Sequence, residues 1–322
     1  MRIRHPLLCA ALSSALVAPS AFANCGSSAC AVNTNWDEHG NSLPGLTLDL
    51  RQSYTKADQL RSGSSKIAAD TTFAGEVENL RTITKITTLT ADYNVNQNSG
   101  ITLLLPYVSR NHIHNLGPYD ANGNSAGVES FNANAMGDIK LVGRVRSTPN
   151  EEHHASIGGK LGLKLPTGRK DFTLDTGALP GEVALQPGNG STDLIAGIFW
   201  NQASPGEAQS WFVQTSLQTS IKHDAAYRPG DQLNLDIGTR YNFGSGLSGL
   251  LQLNSQWSGS DTLADGSSIG GMRTVSLTPG LSYAVMTGTH IYGLVQIPVA
   301  QTVTGEQLTA THSITVGMNH HF

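Results

Sequence analysis

Apolar and polar residues alternate along most of the chain beyond residue 45. In the last segment, "THSITVGMNHHF", the residues Ile314, Val316, Met318 and Phe322 share one parity, while Ser, Thr, Gly, Asn and His fill the other. Successive side chains of a β-strand point to opposite faces, so this period of two predicts a strand with one apolar face. Eleven earlier segments also suit strands, and most of them, such as "GLTLDLRQSY", "GDIKLVGRVRS" and "QLNLDIGTRYN", alternate in the same way, while the facing of "ENLRTITKITTLTADY" is ambiguous. The chain therefore predicts about 12 strands in all.

The connections between these segments alternate between long and short. The long set is 56–75, 110–137, 166–190, 223–230, 259–271 and 300–310, and the short set is "NVNQNS", "TPNEEHH", "ASPGEAQ", "FGSG" and "MTGT". An outer-membrane barrel has short turns on its periplasmic side and long loops outside, whereas the crossovers of a soluble sandwich would scramble the order. We therefore predict an all-β fold, a transmembrane up-and-down antiparallel β-barrel of about 12 strands with apolar side chains facing lipid.

The N-terminus predicts export. Arg2 and Arg4 give a positive start, "PLLCAALSSALVA" is a short apolar stretch, and Ala21-Phe22-Ala23 is a small-x-small cleavage site. The apolar stretch is shorter than the ~20 residues that a spanning helix needs. We expect three parts: a signal peptide at 1–23, an N-terminal periplasmic or plug segment at 24–44, and the barrel at 45–322.

Composition excludes two other classes of protein. The formal charge of −4 becomes −6 once Arg2 and Arg4 leave with the signal, which argues against a nucleic-acid partner. After the signal the longest apolar run is about "ITLLLPYV", too short for a transmembrane helix. The mature chain is rich in Gly, Thr, Ser, Asn and Gln and poor in charge, which suits a barrel with a polar inner face.

Two cysteines remain in the expected mature chain, Cys25 and Cys30 in "CGSSAC". In an exported protein two close cysteines most simply form a disulfide. A metal site and a haem attachment are the alternatives, and the spacing and the lack of a following His disfavour haem.

Aromatic residues stand near the ends of several predicted strands. Trp200, Trp211, Trp257, Tyr241 and Tyr283 share the apolar parity, as residues at a membrane interface do. We place Phe322 in the periplasmic girdle of the last strand. A terminal aromatic strand resembles the C-terminal assembly signal of bacterial outer-membrane proteins, which implies recognition by the barrel assembly machinery.

The segments "GDIKLVGRVR", "GLKLPTGRKD" and "LQPGNGSTDLIAGIFW" resemble the outer-membrane proteins grouped under the MetA pathway of phenol degradation. These are loosely similar to long-chain fatty-acid channels of the FadL type. The resemblance covers roughly residues 45–322, and "KLPTG" is its most specific piece. It implies a monomeric transport barrel for small, often apolar or aromatic compounds. The fatty-acid channels carry more strands and a larger N-terminal hatch, so the role of residues 24–44 stays open.

Charged residues on the inward parity are the candidates for function. Basic residues cluster on the fourth and fifth strands, so they could form a positive wall that guides anionic or polar solutes, or they could be paired charges that fill the lumen. The candidates that line the lumen are Asp49, Arg51, Asp138, Lys140, Arg144, Arg146, Lys160, Lys164, Asp236 and Arg240, with Asp193 on the same parity.

Histidines come in pairs, at 112 and 114, at 153 and 154, and at 320 and 321. A pair in one loop could bind Zn or Cu, but no closed ligand set is visible, and solvated loop residues are the simpler interpretation. An outer-membrane phospholipase needs His and Ser together on the lipid face, whereas "THSIT" sets His312 and Ser313 on opposite faces. We therefore expect no enzyme, no cofactor and no structural metal.

The patterns together predict a channel in the outer membrane of a Gram-negative bacterium. It would move small solutes passively as a monomer, with membrane lipid, the assembly machinery and a small-molecule solute as its partners. A structural or adhesive barrel, and a channel associated with metal handling, are the alternatives.

Overall fold

A computed structural model of the chain describes residues 43–68, 78–115, 127–150, 155–175 and 181–322. The predicted signal peptide, the cysteines Cys25 and Cys30, and nearly all of segment 24–44 lie outside the described residues. Within the described part, no helix has both the length and the apolar character needed to cross a membrane.

Twelve long strands form one closed antiparallel barrel, which confirms the predicted fold class. Each strand pairs with its neighbours in the chain, and the last pairs with the first along its whole length. The fourth strand is interrupted once and has two parts. The strands are β1 (Gly45–Ser62), β2 (Glu78–Asn96), β3 (Ser99–Asn115), β4 (Val128–Met136 and Ile139–Asn150), β5 (Ala155–Leu165), β6 (Thr192–Ala203), β7 (Gln209–Lys222), β8 (Gln232–Gly244), β9 (Leu247–Ser258), β10 (Met272–Met286), β11 (Thr289–Val303) and β12 (Glu306–His321).

Side-chain burial shows that the barrel is apolar outside and largely polar inside. Large apolar residues are exposed on the outer surface, for example Ile198 at 64% and Leu281 at 57%. The alternate residues point inward and are buried, and Gln252, Thr278 and Thr309 have an exposed fraction of 1% or less. A water-soluble sheet protein would bury its apolar face, so this inversion fits a barrel whose outer surface contacts lipid.

The long and short connections fall on opposite sides of the barrel as predicted, but strands continue into several of the predicted long loops. β1 extends to Ser62, β3 extends to Asn115, and the first part of β4 is Val128–Met136. The stretch 300–310 was expected to be a long outer loop, but β11 and β12 continue through it and meet at the tight turn Thr304-Gly305. Gly305 has a φ of 68°, which a glycine adopts without steric cost. The polar residues that suggested a loop alternate in register with β1 and β10, so their backbone groups pair in the sheet.

Three outer connections fold over the lumen. The short 3₁₀ helix Val183–Leu185 in the β5–β6 connection lies against β3, where Arg110 Nη1 donates a hydrogen bond to the Ala184 carbonyl oxygen over 3.0 Å. The β7–β8 and β9–β10 connections share a small sheet of Tyr227–Arg228, Asp261–Leu263 and Ser268–Ile269. The Tyr227 hydroxyl donates to Asp261 over 2.6 Å and joins two strands of this sheet.

The break in β4 lies opposite a proline. Pro106 of β3 has no N–H to offer β4, and the chain passes it through Gly137 and Asp138, with the Gly137 N–H donating to the Pro106 carbonyl oxygen over 2.8 Å. The Asp138 carboxylate is thereby directed inward, where it accepts a hydrogen bond from the Gly168 N–H over 2.9 Å. Proline therefore interrupts the pairing of β3 with β4 here.

Candidate transport lumen

The extracellular half of the barrel contains a cavity of about 360 Å³. Ligand pockets for small molecules are typically about 300–1,000 Å³, so this one is large enough for a small organic solute. One wall is apolar and comes from Ile86, Leu104, Pro106 and Val108 of β2 and β3. Further lining residues come from polar strand positions and from the folded-in connections, and they include Ser53, Thr88, Val183, Ala184, Gln218, Tyr227, Gln232, Gln256 and Met272.

Charged groups of both signs line this cavity, with cations in excess. Among the described residues, the lining contains four cations, Arg51, Arg110, Lys140 and Lys164, and two carboxylates, Asp138 and Asp261. The two carboxylates already accept hydrogen bonds from groups of the folded-in loops. The lining therefore presents more positive than negative groups to a solute.

Lys164 is held within a dense polar network. Its ammonium lies 3.3 Å from Asp138 Oδ2 and 3.0 Å from Asp193 Oδ2, and it also donates to Ser191 Oγ over 2.9 Å and to Asn189 Oδ1 over 2.5 Å. All of these atoms are buried or nearly so. The network ties β4, β5 and β6 to the folded-in loop, so Lys164 is a structural ion-pair centre.

Lys140 differs from Lys164 in its partners. Its ammonium donates to Gln218 Oε1 over 3.0 Å, and the same amide donates through Nε2 to Asp193 Oδ2 over 2.6 Å. No carboxylate of the described residues lies within ion-pair distance of Lys140. Its strand position pairs in register with Leu104, so the ammonium stands beside the apolar wall of the cavity.

Apolar side chains fill the lumen on the periplasmic side of the cavity. Phe212, Leu250, Tyr292 and Leu294 form one buried cluster, with exposed fractions of 5% or less. They belong to β7, β9 and β11, at positions close to the short turns of those strands. We call these four residues the periplasmic plug.

Bulky lumen side chains stand directly opposite glycines of the neighbouring strand. A Cβ built on any of these glycines would lie 2.2–2.5 Å from the facing side chain, closer than real atoms approach. The glycines therefore leave the space into which the large residues fold. The pairs are Phe199 over Gly158, Phe212 over Gly238, Leu294 over Gly280 and Tyr292 over Gly317.

The other predicted lumen residues divide into buried networks on the two sides of the plug. Arg144 lies 2.5 Å from Asp92 and also contacts Asn94. Asp49 accepts a hydrogen bond from the Tyr292 hydroxyl over 2.7 Å, and it lies 3.8 Å from Arg51. These groups cross-link β1, β2, β4 and β11 through the lumen.

The remaining candidates have individual partners. Asp236 accepts from Gln214 over 2.8 Å and from Asn254 over 2.7 Å, and Arg240 donates to Ser248 over 3.1 Å. The Lys160 ammonium lies 5.2 Å from the Phe199 ring centroid, a cation–π distance. Arg146 leaves the lumen and contacts the Gln97 carbonyl oxygen in the β2–β3 turn. Of the ten predicted residues, the structure brings Arg51, Asp138, Lys140 and Lys164 together around the cavity.

The sequence reasoning did not select the plug residues or Phe199. All five lie on the inward parity, where only charged residues were predicted to be functional. The signal that could have found them is a glycine at the paired position of an adjacent strand, because an inward glycine leaves space for an inward aromatic ring.

The histidine pair at 112 and 114 differs from the expected solvated loop residues. His112 and His114 lie on β3, buried inside the barrel, with the His114 Nε2 atom 3.5 Å from Glu129 Oε2 and His112 Nδ1 2.8 Å from Thr82 Oγ1. The strand extends further outward than its sequence suggested, because it pairs with β2 and the first part of β4. Within the described residues, no three His, Cys, Asp or Glu side chains are placed to hold a metal ion, and the pair at 153 and 154 lies outside them.

Comparison with known proteins places the chain in a family. The family model described as MetA-pathway of phenol degradation matches residues 57–314, which is most of the chain. The chain belongs to this family. The expected resemblance is thereby confirmed, and the matched range begins within β1 and ends within β12, so the family covers the whole barrel. A search of curated protein sequences gave no match.

One solved structure confirms the barrel fold for this member of the MetA-pathway family, and two others are reported for comparison. The COG4313 outer membrane channel from Pseudomonas putida F1 aligns with a TM-score of 0.66 and 14% identity, over 88% of this chain and 98% of that one. A FadL homologue of Pseudomonas aeruginosa aligns with a TM-score of 0.45 and 10% identity, over 86% and 90% of the two chains. The toluene transporter TbuX of Ralstonia pickettii gives 0.43 and 11%, over 87% and 90%. The chain therefore has the barrel fold of that outer-membrane channel.

Proposed function

We propose that this protein is an outer-membrane channel that moves small solutes passively, apolar or aromatic compounds among them. The observation that carries the proposal is the cavity of about 360 Å³ inside the barrel, with an apolar wall of β2 and β3 facing polar and cationic groups. Such a mixed lining suits a solute with a small apolar body and a polar substituent. The family membership and the channel fold support the same conclusion.

In this proposal a solute enters past the folded-in outer connections and rests in the cavity. Its exit to the periplasm requires displacement of the periplasmic plug. The plug consists of four side chains, only one of which, Tyr292, makes a hydrogen bond through its side chain. Rotation of the other three leaves no buried polar group without a partner, so opening on this side costs less than breaking the ion pairs around Lys164.

The protein would act as a monomer, without enzymatic activity, and the assembly machinery would insert it by recognising the strand that ends in Phe322. Phe322 is 67% exposed, and its backbone N–H donates to the Leu46 carbonyl oxygen over 2.9 Å. Its ring stands edge-on against His320 with centroids 4.4 Å apart. An exposed aromatic ring at the closing seam is accessible to a recognition partner.

Uptake into liposomes tests the proposed function. Protein refolded into vesicles should admit benzenesulfonate and small neutral sugars, which cross lipid poorly on their own, faster than empty vesicles do. Phe212→Ala should raise the rate several-fold because it removes part of the plug. Phe243→Ala is the matched control, since Phe243 is 61% exposed on the outer face of β8. If neither the wild type nor Phe212→Ala admits solute, the channel proposal fails and the filled lumen favours the structural or adhesive barrel.

A further inference from the structure

The cavity holds a feature that passive transport of neutral compounds does not require. Lys140 extends its ammonium into the lining with the neutral Gln218 amide as its hydrogen-bond acceptor in the described structure. Holding a lysine cation inside a protein is unfavourable unless an anion or water compensates it. The cavity is the space from which such a compensating group can approach.

The carboxylates near Lys140 are turned to other partners. Asp193 binds Lys164 and Gln218 and does not line the cavity, and Asp49 binds Tyr292 and also stays outside the lining. Asp138 lines the cavity but accepts hydrogen bonds from Gly168 and Lys164. Arg51, Lys140 and Lys164 therefore line the cavity, while two of these three carboxylates, Asp193 and Asp49, lie outside its lining.

The apolar wall of β2 and β3 lies directly beside the Lys140 ammonium. Lys140 is paired with Leu104, and Pro106 and Val108 continue the inward face of β3 away from it. Val183 and Ala184 of the folded-in loop, which lies against β3, add further apolar surface to the lining. A ligand that fits these surfaces has an apolar body of one-ring size and one anionic end.

We propose that the cavity is a binding site for a small amphipathic anion, a monoaromatic or short-chain carboxylate, whose carboxylate receives a charge-assisted hydrogen bond from Lys140. The inference rests on the proposed channel function and names the solute class of that same cavity. Gln218 positions the ammonium, and Leu104, Pro106 and Val108 contact the apolar body of the ligand. Charge-assisted hydrogen bonds are about twice as strong as neutral ones, so the anion binds better than its neutral analogue.

Fluorine NMR titration of the protein in detergent micelles tests this site. The probes are 4-fluorobenzoate and its neutral analogue 4-fluorobenzyl alcohol, at pH 7 and low salt, with empty micelles as the background. The wild type should bind the benzoate at least about five-fold more tightly than the alcohol. Lys140→Met should weaken the benzoate about ten-fold and change the alcohol less than two-fold, and Lys140→Arg should retain most of the preference.

Lys85→Met is the matched control, because Lys85 is an exposed lysine on the outer face of β2, and it should change neither affinity. Equal binding of the two probes by the wild type overturns the inference even where Lys140→Met does not fold. Equal loss of both probes in Lys140→Met also overturns it. Solute uptake without anion preference would remove this inference alone, whereas anion binding without any uptake would remove the channel proposal instead.

Discussion

The pairing of Phe212 with Gly238 gives the sharpest test of the lumen architecture. The two residues face each other in register on β7 and β8, and a Cβ on Gly238 would lie 2.3 Å from Phe212 Cε1 and 2.5 Å from Cζ. Ordinary van der Waals contact begins at 3.4 Å, so the ring must move by about 1 Å in Gly238→Ala. Leu250, Tyr292 and Leu294 pack against the ring and resist that movement.

The magnitude follows from two opposing effects. Overpacking of a well-filled interior costs about 1–3 kcal/mol, while replacing a strand glycine with alanine gains about 0.5–1 kcal/mol where the site is open. Gly238→Ala should therefore lower the free energy of unfolding by about 1–2 kcal/mol in the wild type. In a Phe212→Ala background the clash is absent, and the same substitution should be neutral or stabilising, which gives a coupling energy of about 2 kcal/mol.

Equilibrium unfolding by urea in phospholipid vesicles measures these changes through the lipid-facing tryptophans. Gly293→Ala is the control, because Gly293 lies in β11 and a Cβ there would have nothing within 4 Å. It should be neutral or slightly stabilising in both backgrounds. An unchanged cost of Gly238→Ala after removal of the Phe212 ring would refute the idea that glycine makes room for the plug.

Two further predictions concern the ion pairs and the outer loop. Arg144→Met leaves the Asp92 carboxylate buried, with the Thr102 hydroxyl still donating to it. The substitution should lower the free energy of unfolding by about 3 kcal/mol, and adding Asp92→Asn should restore part of that loss. A loss below about 0.5 kcal/mol would contradict this. Burial raises the pKa of Glu182 from 4.5 to about 7 in the folded-in loop. Docking of the loop is therefore weakened by the free energy of burying an ionised carboxyl. This penalty is absent below pH 4.5 and fully present above pH 7. Openings in single-channel recordings should therefore be more frequent at pH 8 than at pH 5, and Glu182→Gln should remove most of that difference.

The barrel itself could be predicted because its evidence is repeated along the chain. Each strand has the same period of two, and the loops sort by parity, so errors at single residues do not change the conclusion. The prediction of a long outer loop at 300–310 was wrong for a local reason. Its residues are polar and include Thr304-Gly305, which suits either a loop or the end of a long hairpin, and only pairing with β1 and β10 distinguishes the two.

The content of the lumen could be predicted only in part. Parity places Lys140 and Lys164 on the inner face, but it does not show that Lys164 meets two aspartates from different strands while Lys140 meets an amide. Those contacts depend on the stagger of the strands and on a loop that folds inward, and neither is encoded in a local pattern. The break at Gly137 depends in the same way on Pro106 in the neighbouring strand.

The two sides of the lumen wall differ in the free energy needed to displace their side chains. On the side of β2, β4, β5 and β6, buried ion pairs such as Arg144–Asp92 and Lys164–Asp193 connect the strands, and separating them leaves charges without partners. On the side of β7, β9 and β11, the plug contributes mainly apolar contacts, which can be exchanged for contacts with an apolar solute. A solute that leaves the cavity therefore meets least resistance through the plug, and an apolar body assists its own passage there by replacing the contacts it disrupts. The polar side then serves as the rigid frame that keeps the cavity open while the apolar side rearranges.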